Sequence, residues 1–154
     1  MKRIGLGVFS IGVLASVGLV TMQQGFADDG APKCTLATLK GRYLFAASGF
    51  LFPPTGGVKE QSVGNVAGYH IFDGRGHGQD YVTVSLNGVV EPIPSPVDLT
   101  YTLNADCTGT YEVLGTGAPT FAIFVSPNGE EMTAINTDKG DAFSYVPSRR
   151  VWPK

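Results

Sequence analysis

The chain is poor in charge, in sulfur and in helical pattern. Only 16% of its 154 residues are Asp, Glu, Lys or Arg, with 11 basic against 13 acidic side chains. A disordered chain would carry more charge and fewer apolar residues. A nucleic-acid surface needs a clustered basic face. The one basic group, Arg149, Arg150 and Lys154, sits at the extreme C-terminus and reads as a solvated tail. There is no G-x-S-x-G elbow for a nucleophilic serine. The two cysteines lack the C-x-x-C spacing of a redox pair. After residue 41 no stretch keeps a helical apolar period for three turns, and no internal repeat or interdomain linker is present.

What is abundant is glycine, at 21 residues, more than a helical protein carries. Five of these fall in the first 27 residues, which read as a secretory signal. Lys2 and Arg3 precede the apolar run Ile4 to Val20, and Gly25-Phe26-Ala27 places small residues at the cleavage positions. The alternative is a membrane anchor, since the 19 uncharged residues from Ile4 to Met22 are long enough to span a bilayer. The five glycines, polar Gln23 and Gln24, and acidic Asp28 and Asp29 favour cleavage. The expected division is therefore a signal peptide over 1–27 and a single domain over 28–154. Cleavage removes two basic residues and leaves nine against 13 acidic ones, a net charge of −4 on 127 residues. A secreted or periplasmic location follows, with no membrane association after cleavage and no nucleic-acid partner. In an oxidising space Cys34 and Cys107 are expected to form a disulfide. In the chain-entropy model it contributes about 4 kcal/mol.

The mature part alternates short apolar runs with Gly, Asn, Asp and Pro. Strands are expected over 42–50, 65–73, 79–87, 97–104, 109–115, 119–126, 130–137 and 141–147. Val82, Val84 and Leu86 share one face, as do Leu99, Tyr101 and Leu103, and Phe121, Ile123 and Val125. Ala122 and Phe124 make that last strand apolar on both faces. Asn87-Gly88 and Asn128-Gly129 supply the positive φ of tight hairpins. Asp73 to Gly78, Asp106 to Gly109 and Asp138 to Asp141 give further turns. The Pro- and Gly-rich runs 53–64 and 91–96 are expected as surface loops. One short N-terminal helix, Thr35 to Lys40, is expected to stop at Gly41. About eight short strands in a chain of this size predict an all-β, antiparallel, up-and-down, calycin-like barrel, with a two-sheet β-sandwich as the alternative. Closure removes edge strands, which suits a chain with few charges to blunt an edge.

Three segments carry a resemblance: Leu39-Lys40-Gly41-Arg42-Tyr43-Leu44-Phe45 with Gly49, Gly68 to Gly76, and Tyr101 to Thr110. In these the chain resembles a group of small exported bacterial proteins of unassigned function. Its layout is also similar to allene oxide cyclase-like and lipocalin-like barrels. The shared residues are turn residues, so the resemblance implies a fold, with ligand carriage or cyclisation as fold-level analogies.

The densest polar cluster is Tyr69, His70, Asp73, Arg75, His77 and Asp80, which holds both histidines of the chain. One reading makes His77 an acid–base group oriented by Asp73 or Asp80. The other makes the cluster a hairpin turn, with His70 a strand histidine bonded to a neighbour. The histidines lack compact zinc spacing, although a hairpin could bring 70 and 80 together. The glycines of Gly74-x-Gly76-x-Gly78 precede a strand, not the helix that a phosphate loop requires. Glu130 and Glu131, as strand neighbours, point to opposite faces. Fourteen Phe, Tyr and Trp residues remain after cleavage, enough for a core and for the lining of an apolar pocket. The ligand-binding candidates are Tyr69, His70, Tyr101, Tyr111 and Phe121; no catalytic residue, metal or cofactor is assigned. The expected function is non-covalent binding of a small, partly apolar molecule inside or at the mouth of the barrel. The alternatives are an extracytoplasmic protein-binding module, such as a hydrolase inhibitor acting through 51–64 and 91–96, and a cofactor-free isomerase or cyclase.

Overall fold

The computed structural model of the chain describes residues 33–53, 58–115 and 118–152, so the expected signal peptide and its cleavage site lie outside the described residues. Ten strands follow in order: β1 (Lys40–Leu51), β2 (Ser62–Asp73), β3 (His77–Leu86), β4 (Val89–Val90), β5 (Val97–Leu103), β6 (Thr108–Val113), β7 (Thr120–Val125), β8 (Glu131–Asn136), β9 (Asp141–Tyr145) and β10 (Ser148–Trp152). Antiparallel pairing runs β10-β8-β7-β6-β5-β3-β2-β1, and β10 also pairs with β1. The circuit is therefore a closed eight-strand antiparallel barrel, as the turn spacing predicted. Two strands lie outside it: β4 pairs only with β3, and β9 runs along the upper part of β1.

Closure depends on a segment read from sequence as a solvated tail. It is no tail: Ser148–Trp152 is β10, bonded to β8 on one side and β1 on the other. The Arg150 side chain is only 6% exposed and is paired with Glu130. It also donates to the carbonyls of Asn128 at 3.2 Å and Lys40 at 3.4 Å. A cation this buried is tolerated because carbonyls and a carboxylate take its N–H groups. β9 and β10 form one interrupted strand along β1. The pairing slips by one residue between Leu44↔Arg149 and Ala47↔Tyr145, across Val146 and Pro147. Proline has no N–H for the ladder, so the break falls where the sequence places it.

Two other expectations need adjustment. The N-terminal helix is a single 3-10 turn, Leu36–Thr38, and Gly41 lies inside β1 with φ 113°. The loop expected at 53–64 ends earlier, since β2 begins at Ser62. The Asn87-Gly88 hairpin forms as read, with φ 50° and 84°, but it leads into the two-residue strand β4.

The central part of the interior and the end nearer the N-terminal segment are packed. Alternation along the strands points Tyr43, Phe72, Leu99, Tyr111, Ile123, Met132 and His70 inward, each essentially without solvent exposure. Their rings interlock edge to face and stacked: Tyr43 on Phe72 at 5.6 Å, Phe72 on Tyr101 at 5.1 Å and Tyr111 on Phe121 at 4.3 Å. An eight-stranded barrel is just wide enough for side chains to fill. One end is plugged by the N-terminal segment. The Cys34–Cys107 disulfide ties that segment to the β5–β6 turn, with Cα atoms 5.0 Å apart. There the Tyr101 hydroxyl lies 3.0 Å from the carbonyls of both Leu36 and Leu39. The Tyr43 hydroxyl donates to the Gly129 carbonyl at 2.6 Å. Gly129 is required twice over, because its φ is 69° and an added Cβ would lie 2.1 Å from the Thr38 carbonyl oxygen. Glycine also sits within strands: at Gly68 an added Cβ would meet the Tyr81 carbonyl oxygen at 1.9 Å.

Candidate functional site

The residues singled out from sequence divide between the two sides of the barrel wall. His70, Tyr111 and Phe121 come together inside it, with His70 5.3 Å from the Tyr111 ring. Tyr101 is also interior but lies nearer the plugged end. Tyr69 is on the outside, stacked on Tyr81 at 4.7 Å, with the Arg42 guanidinium 4.4 Å from its ring centre.

His70 faces Asp80 across the β2–β3 ladder, Nδ1 to Oδ1 at 2.5 Å. The two residues are 1% and 3% exposed. Phe45 stacks on the imidazole at 4.1 Å with rings 7° from parallel. The pair is a strand histidine bonded to its neighbour, sealed from solvent by rings. Burial, and secondarily the Asp80 charge, pushes the Tyr111 hydroxyl well above the ordinary tyrosine range. Burial also raises the Tyr101 hydroxyl, to about 12.

The other half of the sequence cluster belongs to the turn. The Asp73 carboxylate accepts the backbone N–H of Arg75 at 2.7 Å and of His77 at 3.1 Å. Slight burial pushes this carboxyl up, but those two donors outweigh it and hold it below its usual range. His77 and Asp73 are therefore turn-forming groups away from the His70–Asp80 pair. Among the described residues no group of three His, Cys, Asp or Glu is gathered as metal ligands.

Concavity appears on the outer face instead. A shallow trough of about 860 Å³ crosses β10, β1, β2 and β3. Its floor is a cross-strand row of small side chains, Ala46 opposite Ala67 and Ala67 opposite Thr83. One wall is the neighbouring row, Arg149 opposite Leu44 and Leu44 opposite Tyr69. Val146, Pro147 and Val151 close the β10 end. Small residues between larger ones leave a depression on an outward face. Leu44, Val146 and Val151 are 51%, 61% and 44% exposed, although apolar.

Of these residues the sequence reading named only Tyr69 as a binding candidate. A signal was present: Leu44 and Ala46 occupy outward positions of β1, where a half-buried strand ordinarily carries polar side chains. A second apolar surface lies at the open end of the barrel. Phe50 stands opposite Val63, Phe52 is 6.3 Å from Phe50, and Val89, Val90 and Ile93 are exposed on and after β4.

The architecture defined by these observations is an antiparallel β-barrel with a packed aromatic core and exposed apolar side chains on its outside. No protein-family model matches the chain, and neither does any curated protein or solved structure.

Proposed function

We propose that the protein binds a small, partly apolar molecule non-covalently, and that it does so in the trough on the outer wall, after export. The observation that carries this reading is the apolar depression over Ala46 and Ala67, whose volume of about 860 Å³ falls within the range of ligand sites. The sequence reading put the ligand inside or at the mouth of the barrel. The packed aromatic interior moves the proposed site outside. The disulfide supports an oxidising compartment, since such bridges persist in exported proteins.

Ala67→Trp tests the reading, because it fills the trough from an exposed position without touching the core. Titration of the protein with decanol, followed by backbone amide NMR, is expected to shift the resonances of residues 44–46 and 67–69. In Ala67→Trp those shifts are expected to disappear while the melting temperature is unchanged. Persistence of the shifts in the variant would sink the reading.

A second reading is favoured by the apolar end of the barrel. Phe50, Phe52, Val63, Val89, Val90 and Ile93 form an exposed rim beside the 91–96 loop. This rim suits an extracytoplasmic protein partner, since aromatic anchors dominate such interfaces. The same titration separates the two, because shifts confined to residues 50–52, 63 and 89–93 would favour the rim.

A further inference from the structure

Resting on the trough as a binding site, we infer that its occupant is a single-chain amphiphile with an anionic head, of which a medium-length alkyl carboxylate is the simplest member. The charge of the lining carries this inference. Among the residues that line the trough only one is ionic, and it is Arg149. Its side chain is 78% exposed and stands on β10 in the wall row, opposite Leu44 and one row along from the apolar floor. Its partner is Glu131 on β8, with Nε 3.1 Å from Oε1, and Glu131 lies outside the lining.

An exposed ion pair of this kind contributes little to stability, so a ligand carboxylate can take the place of Glu131 at almost no cost to the fold. The guanidinium offers five donors in a planar fork that matches a carboxylate with two parallel hydrogen bonds. A cationic head would meet Arg149 as a like charge, and a neutral head would leave the fork to Glu131. The polarity of the groove therefore selects the sign of the ligand.

The row of floor residues fixes the rest of the molecule. From β10 across β1 and β2 to β3 is three inter-strand steps, about 14 Å. That distance accommodates a medium-length extended chain lying across the strands, with its head at Arg149 and its tail over Ala67 toward Thr83. The floor presents methyl groups and backbone, and no buried polar group that a tail would leave unpaired. Tyr69 flanks the path, its ring stacked on Tyr81 and in contact with the Arg42 guanidinium.

The test compares three ten-carbon probes, each at concentrations where it is monomeric: decanoate, decanol and decyltrimethylammonium. The disulfide-bonded protein is titrated and the amide shifts of trough residues are followed. Decanoate is expected to bind about fivefold more tightly than decanol and decyltrimethylammonium the most weakly, the margin that an exposed charge contact supplies. Arg149→Gln is expected to bring decanoate down to the level of decanol, and Arg149→Lys to restore part of the difference. Equal binding of all three probes, or a preference that survives Arg149→Gln, would overturn the anionic class and leave the apolar site standing. Absence of shifts at the trough with every probe, or binding untouched by Ala67→Trp, would overturn the site and the inference together. Both altered positions are exposed, and unchanged thermal melting shows that each variant is folded.

Discussion

The two faces of β1 and β2 handle polar and apolar groups in opposite ways. Inside the barrel the polar groups at its centre are partnered: His70 with Asp80, the Tyr43 hydroxyl with the Gly129 carbonyl, the Arg150 guanidinium with carbonyls and Glu130. Outside, on the same two strands, apolar side chains stand uncovered at Leu44, Ala46, Ala67 and Val63. The inner face has largely found its partners within the chain. The outer face leaves these side chains uncovered, which is why the proposed site lies there. The difference teaches that the most conspicuous chemical groups, the histidine and its carboxylate, are sealed inside the barrel wall. The binding site proposed above rests instead on plain aliphatic positions that carry no motif.

This contrast can be broken first on the inside. Asp80→Ala removes the partner of a buried imidazole and is expected to cost about 3 kcal/mol of stability, seen as a lowered midpoint in urea. The double variant His70→Phe with Asp80→Val puts apolar groups in both places and is expected to lose much less. A double variant that is less stable than Asp80→Ala would show that the pair does more than satisfy itself.

A smaller effect is expected where the plug meets the core. Tyr101→Phe leaves the carbonyls of Leu36 and Leu39 without their hydroxyl donor and is expected to cost about 1 kcal/mol at neutral pH. The pH dependence has a definite sign. Burial raises the Tyr101 pKa from 10.0 in the unfolded chain to about 12 in the folded one, so its contribution is complete below pH 10. As pH rises from 10 through 12 the unfolded state loses its proton first, and stability falls. Tyr111 and Tyr145, raised chiefly by burial, add to the same alkaline loss. Urea midpoints measured across this range are expected to fall less steeply for Tyr101→Phe than for the parent chain.

The smallest effect belongs to the outer face. Leu44→Ser removes an exposed aliphatic group and is expected to change stability by no more than a few tenths of a kcal/mol. It should nevertheless weaken decanol binding, which calorimetric titration would register. A large stability loss there would mean that the outer row is part of the core after all.

Much of the barrel was legible in the residues. Period-two alternation gave the inward set Leu99, Tyr101, Phe121, Ile123 and Val125, and Asn87-Gly88 marked its hairpin because positive φ is cheap for those two residues. Three features were hidden. The role of Arg150 could not be read, since an arginine near a chain end ordinarily faces water and is buried here only because three acceptors converge on it. The 3-10 turn at Leu36–Thr38 is held by contacts with Tyr101 and Gly129, both distant in sequence. The trough depends on which residues stand side by side on four strands, and only register decides that.

By itself the sequence determined the class of fold, the pairing of its two cysteines and the residues that face inward. These follow from local rules, namely alternation, turn chemistry and a count of two thiols. Only the tertiary structure decided how far aromatic side chains pack the barrel and which side of its wall leaves apolar residues uncovered. Filling is a matter of side-chain volume against circumference, and an open face is whatever the chain has failed to cover. Both depend on all eight strands at once, and no single segment carries that information.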